Sequence, residues 1–242
     1  MDVLGYGAYS HWYLSGTIMA TKSDLRARLS VKNTKGNIGA LLGSGLNSNI
    51  INNTAYTAPF NGPGKPLIRT NGIIFPYTPN ISVAHAVEYS SYELVHTNYQ
   101  QNAYGKTRNP QIQVTGVFTS QTPAEAAYTV GMMHFLRVVT KMDWGESPAA
   151  TGFVPGTPPP VLVFSAYGTY NFQNVPVLVQ GFNFVYEDGV DYVEVTVNDQ
   201  TVQIPSLMTV AIDLLPQYSP AKQQEFNMDS FSRGDGYRRG FI

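Results

Sequence analysis

The sequence predicts a mainly β (α+β) fold, an antiparallel β-barrel or sandwich with one flanking α-helix. Three observations lead there. Ile81–Tyr89 and Gln111–Thr119 alternate apolar and polar residues with a period of two, the mark of a sheet covered on one side. A single capped, amphipathic segment follows at about 122–143. After a loop ending Gly156-Thr157-Pro158-Pro159-Pro160, the strand pattern resumes and runs to Leu214. A chain of 242 residues is long enough to bury one substantial core, or a core with an extension.

Taken in order, residues 1–65 read as an N-terminal extension. Tyr13–Ala20 and Arg26–Val31 have the composition of short strands. Gly39-Ala40-Leu41-Leu42-Gly43-Ser44-Gly45, followed by Asn47, Asn49, Asn52 and Asn53, predicts a long loop, because Gly and Asn tolerate positive φ. A loop of that length is functional or becomes ordered on a partner. The β domain is expected over 66–218. In Ile81–Tyr89, His85 shares the apolar face with Ile81, Val83, Val87 and Tyr89, which reads as a core histidine. In Gln111–Thr119, Ile112, Val114 and Phe118 face one way, with Gln113, Thr115 and Thr119 opposite.

The helix begins with a capping box, Thr122-Pro123-Ala124-Glu125, with proline at the first helical position. At 100° per residue its packing face collects Ala124, Ala127, Tyr128, Gly131, Phe135, Val138, Val139 and Met142. Thr129, Met133, Arg137 and Thr140 lie on the other side, which makes Met133 and Arg137 candidate assembly contacts. Lys141 complements the helix dipole near the carboxyl end, and Gly145 is the expected terminator. Val161–Tyr170, Val175–Tyr186, Tyr192–Val197 and Leu207–Leu214 read as the remaining strands. Asp188-Gly189 is the expected hairpin turn between the second and third of these. Residues 219–242 set Phe226, Met228 and Phe231 among charges and glycines, the pattern of an arm laid on a neighbouring molecule.

No constellation for chemistry accompanies these elements. There are no cysteines, so disulfides, thiolate zinc sites and cysteine nucleophiles are excluded. The four histidines, His11, His85, His96 and His134, stand at no metal-ligand spacing. Gly43-Ser44-Gly45 lacks the Gly-Lys-Ser/Thr of a phosphate loop, and no Gly-x-Ser-x-Gly elbow occurs. Glu187, Asp188 and Asp191 read as solvated turn carboxylates, and Lys106-Thr107-Arg108 beside Tyr104 as a solvated loop. No cofactor or metal is expected.

Charged residues make up 13% of the chain against a usual value of roughly 25%, and their place is taken by 16 tyrosines, 22 glycines and 16 prolines. Such a surface suits extensive protein contact. A net charge of −1 argues against an overall positive field that grips nucleic acid. Met1 leads into Asp2-Val3-Leu4-Gly5 without a basic stretch or a long apolar run, so no signal peptide and no membrane span are expected.

Several stretches together resemble the tail-tube and baseplate-tube proteins of contractile-tailed bacteriophages. They run from Pro79-Asn80-Ile81-Ser82-Val83 through Tyr89, His96-Thr97-Asn98-Tyr99 and Gln111-Ile112-Gln113-Val114-Thr115. They continue with Tyr128–Met142 around His134-Phe135-Leu136-Arg137, then Gly156-Thr157-Pro158-Pro159-Pro160-Val161-Leu162 and Asn174-Val175-Pro176-Val177. The turn from Asp188 to Tyr192 and Pro205-Ser206-Leu207-Met208-Thr209-Val210 to Pro216 complete the pattern, which spans roughly Pro79 to Tyr218. The resemblance implies a barrel or sandwich subunit in a six-fold ring whose joined inner sheets line a channel. The long N-terminal region and the tail depart from the shortest tube proteins and favour a junction ring. The implied protein is a structural, non-enzymatic virion component, a homohexamer at the baseplate–tube junction, assembled in the host cytoplasm. It initiates the tube, contacts baseplate hub proteins and tube subunits, and lets genomic DNA pass without reading its sequence. Alternatives are the repeating major tube protein, the tube of a contractile injection system, and a cell-wall hydrolase or carbohydrate-binding baseplate domain.

Overall fold

A computed structural model describes residues 24–31, 60, 62–93, 95–142 and 158–242. The strand expected at Tyr13–Ala20, the Gly/Asn-rich loop and the terminator Gly145 lie outside the described residues.

Seven strands form one antiparallel sheet. In chain order they are β1 (Arg28–Val31), β2 (Gly72–Ile74), β3 (Asn80–Tyr92), β4 (Gln101–Thr119), β5 (Leu162–Ala166), β6 (Phe172–Tyr186) and, after two further strands, β9 (Leu207–Pro216). Their spatial order is β2-β1-β5-β6-β9-β4-β3. The chain is thus mainly β with a few helices, as expected, but among the described residues the sheet stays open instead of closing into a barrel. β1 falls within the expected N-terminal extension, yet it is hydrogen-bonded between β2 and β5 and belongs to the body of the sheet.

Period-two sequence explains the sheet's sidedness. On β9, Met208, Val210, Ile212 and Leu214 are buried, and they pair in register with Phe118, Gly116, Val114 and Ile112 of β4. Gly116 is required in that buried row, because the Phe75 ring occupies the space a Cβ would need. Phe75 in turn sits 5.5 Å from the Phe118 ring, tilted against it.

The helix α1 spans Pro123–Val139, shorter than the predicted 122–143. Thr122 caps it by accepting from the Glu125 amide at 3.3 Å, while Glu125 Oε2 accepts from the Gln121 amide at 2.8 Å. At the other end Thr140 Oγ1 donates to the Leu136 carbonyl at 3.0 Å and ends the ladder. Met142 therefore lies beyond the helix and is exposed.

The helix is not a flanking element with one wet side. Tyr128, Met132, Met133, Phe135, Leu136 and Val139 join the main core with the sheet residues. A second cluster forms where Ala126 meets Val195 and Ile204, with Ala127 and Val130 packed around them. Those partners come from β7 (Tyr192–Val197) and β8 (Gln200–Pro205), a separate two-stranded sheet. Gly131 faces neither sheet. It lies against the 3-10 turn Gly62–Leu67, where a Cβ would stand 3.1 Å from the Pro63 carbonyl oxygen and 3.5 Å from Leu67.

The hairpin is also relocated. Asp188-Gly189 links β6 to β7, but the two strands belong to different sheets and do not pair. The tight turn is Asn198-Asp199 between β7 and β8, with φ of 49° and 61°. A two-residue type I′ hairpin needs positive φ at both positions, which Asn and Asp tolerate.

Residues after Tyr218 fold back on the chain's own sheet, in place of the expected arm on a neighbour. Three short helices, α2 (Pro220–Gln224), α3 (Met228–Ser232) and α4 (Asp235–Arg238), carry an aromatic cluster. Phe241 stacks on Tyr218 at 5.3 Å, with Phe226 edge-on to it at 5.4 Å. Phe231 bridges Phe226 and Tyr237, and Tyr237 meets Tyr170 next to β6. Gly240, at φ 79°, lets the backbone pass against the Asn174 carbonyl, where a Cβ would collide.

Candidate assembly surfaces

The sheet's two faces have opposite chemistry. The inner face is sealed by α1 and the 3-10 turn. The outer face presents Gln111, Gln113 and Thr115 of β4, Thr209, Ala211 and Asp213 of β9, and Asn183 of β6, as the strand register places them. Its side chains bond laterally: Gln113 Nε2 donates to Asp213 Oδ1 at 3.1 Å, and Gln111 Nε2 to Gln180 Oε1 at 3.3 Å. Strands β6 and β9 contain no Lys or Arg at all, and Asp213 is the one charge between them. Val117 and Val185 are exposed beside these amides and hydroxyls, and β6 and β9 offer a polyanion no cation to bind.

A second surface projects from the same strands. β9 pairs with β4 only from Ile112 to Thr119, whereas β3 and β4 remain paired out to Tyr92 and Gln101. Beyond Ala84 and Gln111 they form a two-stranded arm, and nearly every residue on it is exposed on both faces. Tyr89 and Tyr104 stand edge to face at 6.2 Å, and Tyr104 Oη is 2.9 Å from Thr107 Oγ1. Exposed apolar bulk concentrates here, in Val87, Tyr89, Tyr92, Val95, Tyr99 and Tyr104. Glu88 sits between two cations of the opposite strand: Arg108 Nε donates to its Oε1 at 2.6 Å, and Lys106 Nζ lies 3.1 Å from its Oε2. The hydrogen bond from Arg108, then that from Lys106, holds the Glu88 carboxyl below the usual carboxylate range. Lys106-Thr107-Arg108 is thus strand and clamp, where the sequence predicts a solvated loop.

The predicted site residues divide. Tyr128, Gly131, Phe135 and Val139 are buried on the helix as expected, and Ala127 and Val138 are half-buried. Ala124 is exposed on the first turn, and Met142 has left the helix. Met133, expected at an assembly contact, is buried in the core instead, as is Thr129, whose Oγ1 lies 3.0 Å from Ser120 Oγ. Met133 packs into the main core with the sheet residues, and Thr129 is held by Ser120 just ahead of the helix, so neither side chain is left to solvent. Arg137 is exposed, with its guanidinium 5.9 Å above the Phe184 ring. Phe226 and Met228 are exposed, while Phe231 is half-buried among its aromatic neighbours.

His11 lies outside the described residues, and among those described the histidines do not converge. His85 is exposed on the arm, not in the core, and His96 is exposed near its tip. His134 is half-buried on α1, where burial and then the Arg137 charge push its pKa down. Glu187 Oε1 accepts from Thr209 Oγ1 at 2.9 Å, which ties one turn carboxylate to the sheet. Among the described residues, no three acidic or histidine side chains come together in a way that would hold a metal ion, and no helix is long and apolar enough to cross a membrane. The sequence reading missed β2, β8 and the outer half of β4. Asn198-Asp199 before Val202 and Ile204 was the available signal for β8. Compared with known proteins, the chain matches no family model and no curated sequence.

Proposed function

We propose that this chain is a structural ring subunit of a contractile phage tail, six copies of which form the ring that joins baseplate to tail tube and starts tube assembly. The carrying observation is the one-sided sheet. Its inner face is closed by the helix, and its outer face is broad, nearly uncharged and free of Lys and Arg on β6 and β9. Turned inward in a ring, that face lines a channel through which DNA slides without being held. The order of motifs from Pro79 to Tyr218, resembling tail-tube proteins, supports the same reading. Hub proteins and tube subunits are the partners on the two faces of the ring.

Mass measurement of the purified chain, together with negative-stain images of virions or isolated baseplates, tests this. A six-fold ring in the particle is the expected result, and a stable monomer absent from particles overturns it. Copy number separates this reading from the repeating tube protein: one ring's worth for an initiator, many rings for a tube subunit.

A further inference from the structure

The turn that leads into β2 holds the end of β1 through a side-chain donor. Val31 donates its amide to the Asn71 carbonyl at 3.0 Å, and its own carbonyl accepts from Asn71 Nδ2 at 3.1 Å. The backbone amide of Asn71 is turned elsewhere, to the Ile68 carbonyl at 3.3 Å. The side-chain amide thus stands in for a backbone N–H and adds a rung to the three pairs between β1 and β2. Asn71 takes this position at φ 55°, a conformation asparagine tolerates. Its Oδ1 is buried without a hydrogen-bond partner among the described residues.

The next residue is glycine, and the fold requires it, because a Cβ on Gly72 would collide with the Leu29 carbonyl. Asn-Gly is the pair most prone to deamidation, since no side chain shields the glycine nitrogen from the asparagine Cγ. In that reaction the Gly72 nitrogen bonds to Asn71 Cγ, the Cγ–Nδ2 bond breaks, and ammonia leaves with the glycine proton. Water then opens the succinimide ring at either carbonyl. One product is aspartate. The other is isoaspartate, whose main chain runs through Cβ and Cγ.

The closed turn keeps the reacting groups apart. Bonded and non-bonded pairs alternate along an antiparallel ladder, and Val31–Asn71 and Ala27–Phe75 are both joined by backbone hydrogen bonds. Gly72, opposite Ser30, therefore turns its N–H away from β1. The Ile74 amide points the same way and donates to Tyr128 Oη at 2.9 Å. The Asn71 side chain reaches to the other side, towards Val31. Nucleophile and electrophile meet only when the Nδ2–Val31 bond opens.

We propose that Asn71-Gly72 is a self-modification site, kept silent by the Asn71–Val31 bond, where deamidation makes an opening of this rung permanent. Either product loses the Nδ2 donor. Aspartate sets a carboxylate oxygen against the Val31 carbonyl, acceptor facing acceptor, where Oδ1 already lacks a partner. Isoaspartate lengthens the main chain between the Val31 rung and the Leu29–Ile73 pair, so that both cannot be kept. β1 then retains β5 and loses its hold on the turn. The site does not depend on the ring reading.

Peptide mapping of the full chain held in mildly alkaline buffer tests this, with the two Asn-Gly pairs, Asn61-Gly62 and Asn71-Gly72, read separately. A synthetic peptide of residues 68–76 gives the unrestrained rate. Deamidation at Asn71 in the folded chain should be at least about tenfold slower than in the peptide, and should reach the peptide's rate in urea. The slowing factor should equal the hydrogen-exchange protection of the Val31 amide, because both need the same opening. A folded chain that reacts as fast as the peptide overturns the proposal. So does one that stays intact while the Val31 amide exchanges freely.

Permanence has its own readout. Val31 protection should be lost in the deamidated fraction of the aged wild-type chain and in Asn71→Asp, which supplies one product directly. Wild-type protection in the aged fraction overturns the release of β1, and that reading stands even if Asn71→Asp fails to fold.

Discussion

β3 and β4 run through two environments, and the contrast between them is instructive. From Ile112 to Thr119, β4 has β9 on one side, β3 on the other and a helix-backed core beneath. From Gln101 to Asn109 the same strand has one neighbour among the described residues and is exposed on both faces. In the first stretch the side chains alternate between buried and exposed. In the second, alternation loses its meaning, and tyrosines and charges take its place. The inner half contributes to the stability of the fold, and the outer half is free of the demands of the core.

Substitutions separate the halves, beginning with the largest effect. Phe118→Ala removes a buried ring packed on Phe75 and should cost about 3–5 kcal/mol in urea unfolding. Tyr104→Ala on the outer half of the same strand should leave the midpoint within about 0.5 kcal/mol. Comparable losses would mean that the arm is part of the core.

Phe241→Ala tests whether the tail belongs with the cored half. Its ring is buried against Tyr218, so a loss of about 3 kcal/mol is expected, and an unchanged midpoint would return the tail to the role of a free arm. Gly131→Leu should cost about 1–3 kcal/mol by overpacking the helix against Pro63 and Leu67. Full thermal stability in that variant would show that the 3-10 turn yields.

The smallest effect belongs to the arm alone. The Glu88 pKa is lowered, chiefly by Arg108 and then by Lys106. The clamp is therefore complete above the ordinary carboxylate value of about 4.3 and is lost as pH falls through the depressed one. Acid titration followed by NMR should move the ring signals of Tyr89 and Tyr104 while those of Phe118 stay fixed. The same movement in Glu88→Gln would assign it to another group.

This contrast also explains what was legible in sequence. β9 and the inner half of β4 announce themselves because one face is apolar and the other polar. The start of α1 is legible because a capping box is local chemistry. The outer half of β4 is not, since a strand wet on both sides has no reason to alternate. Met133 and Thr129 were misplaced for the converse reason: a helix covered on two sides lacks the single apolar stripe from which a face is read. β2 is buried at all three positions and too short to show a period. For the candidate surfaces, the low charge of the chain and its tyrosines are visible in the sequence, but the grouping of Tyr89, Tyr92, Tyr99 and Tyr104 on one arm requires the fold. The C-terminal aromatics were visible too, and only their contacts show that they close on their own chain.

The path of β4 has a mechanical consequence. One strand connects the exposed arm to the cap of the buried helix, ending at Thr119 just before Ser120, Gln121 and the N-cap Thr122. Tension applied to the arm along the strand loads the ladder from Ile112–Leu214 to Thr119–Leu207 in shear, so that its bonds resist together. A sideways pull on the same arm opens the β3–β4 pairs one after another, as a zipper does. By this geometry the chain resists a pull along the direction of β4 more than one across it.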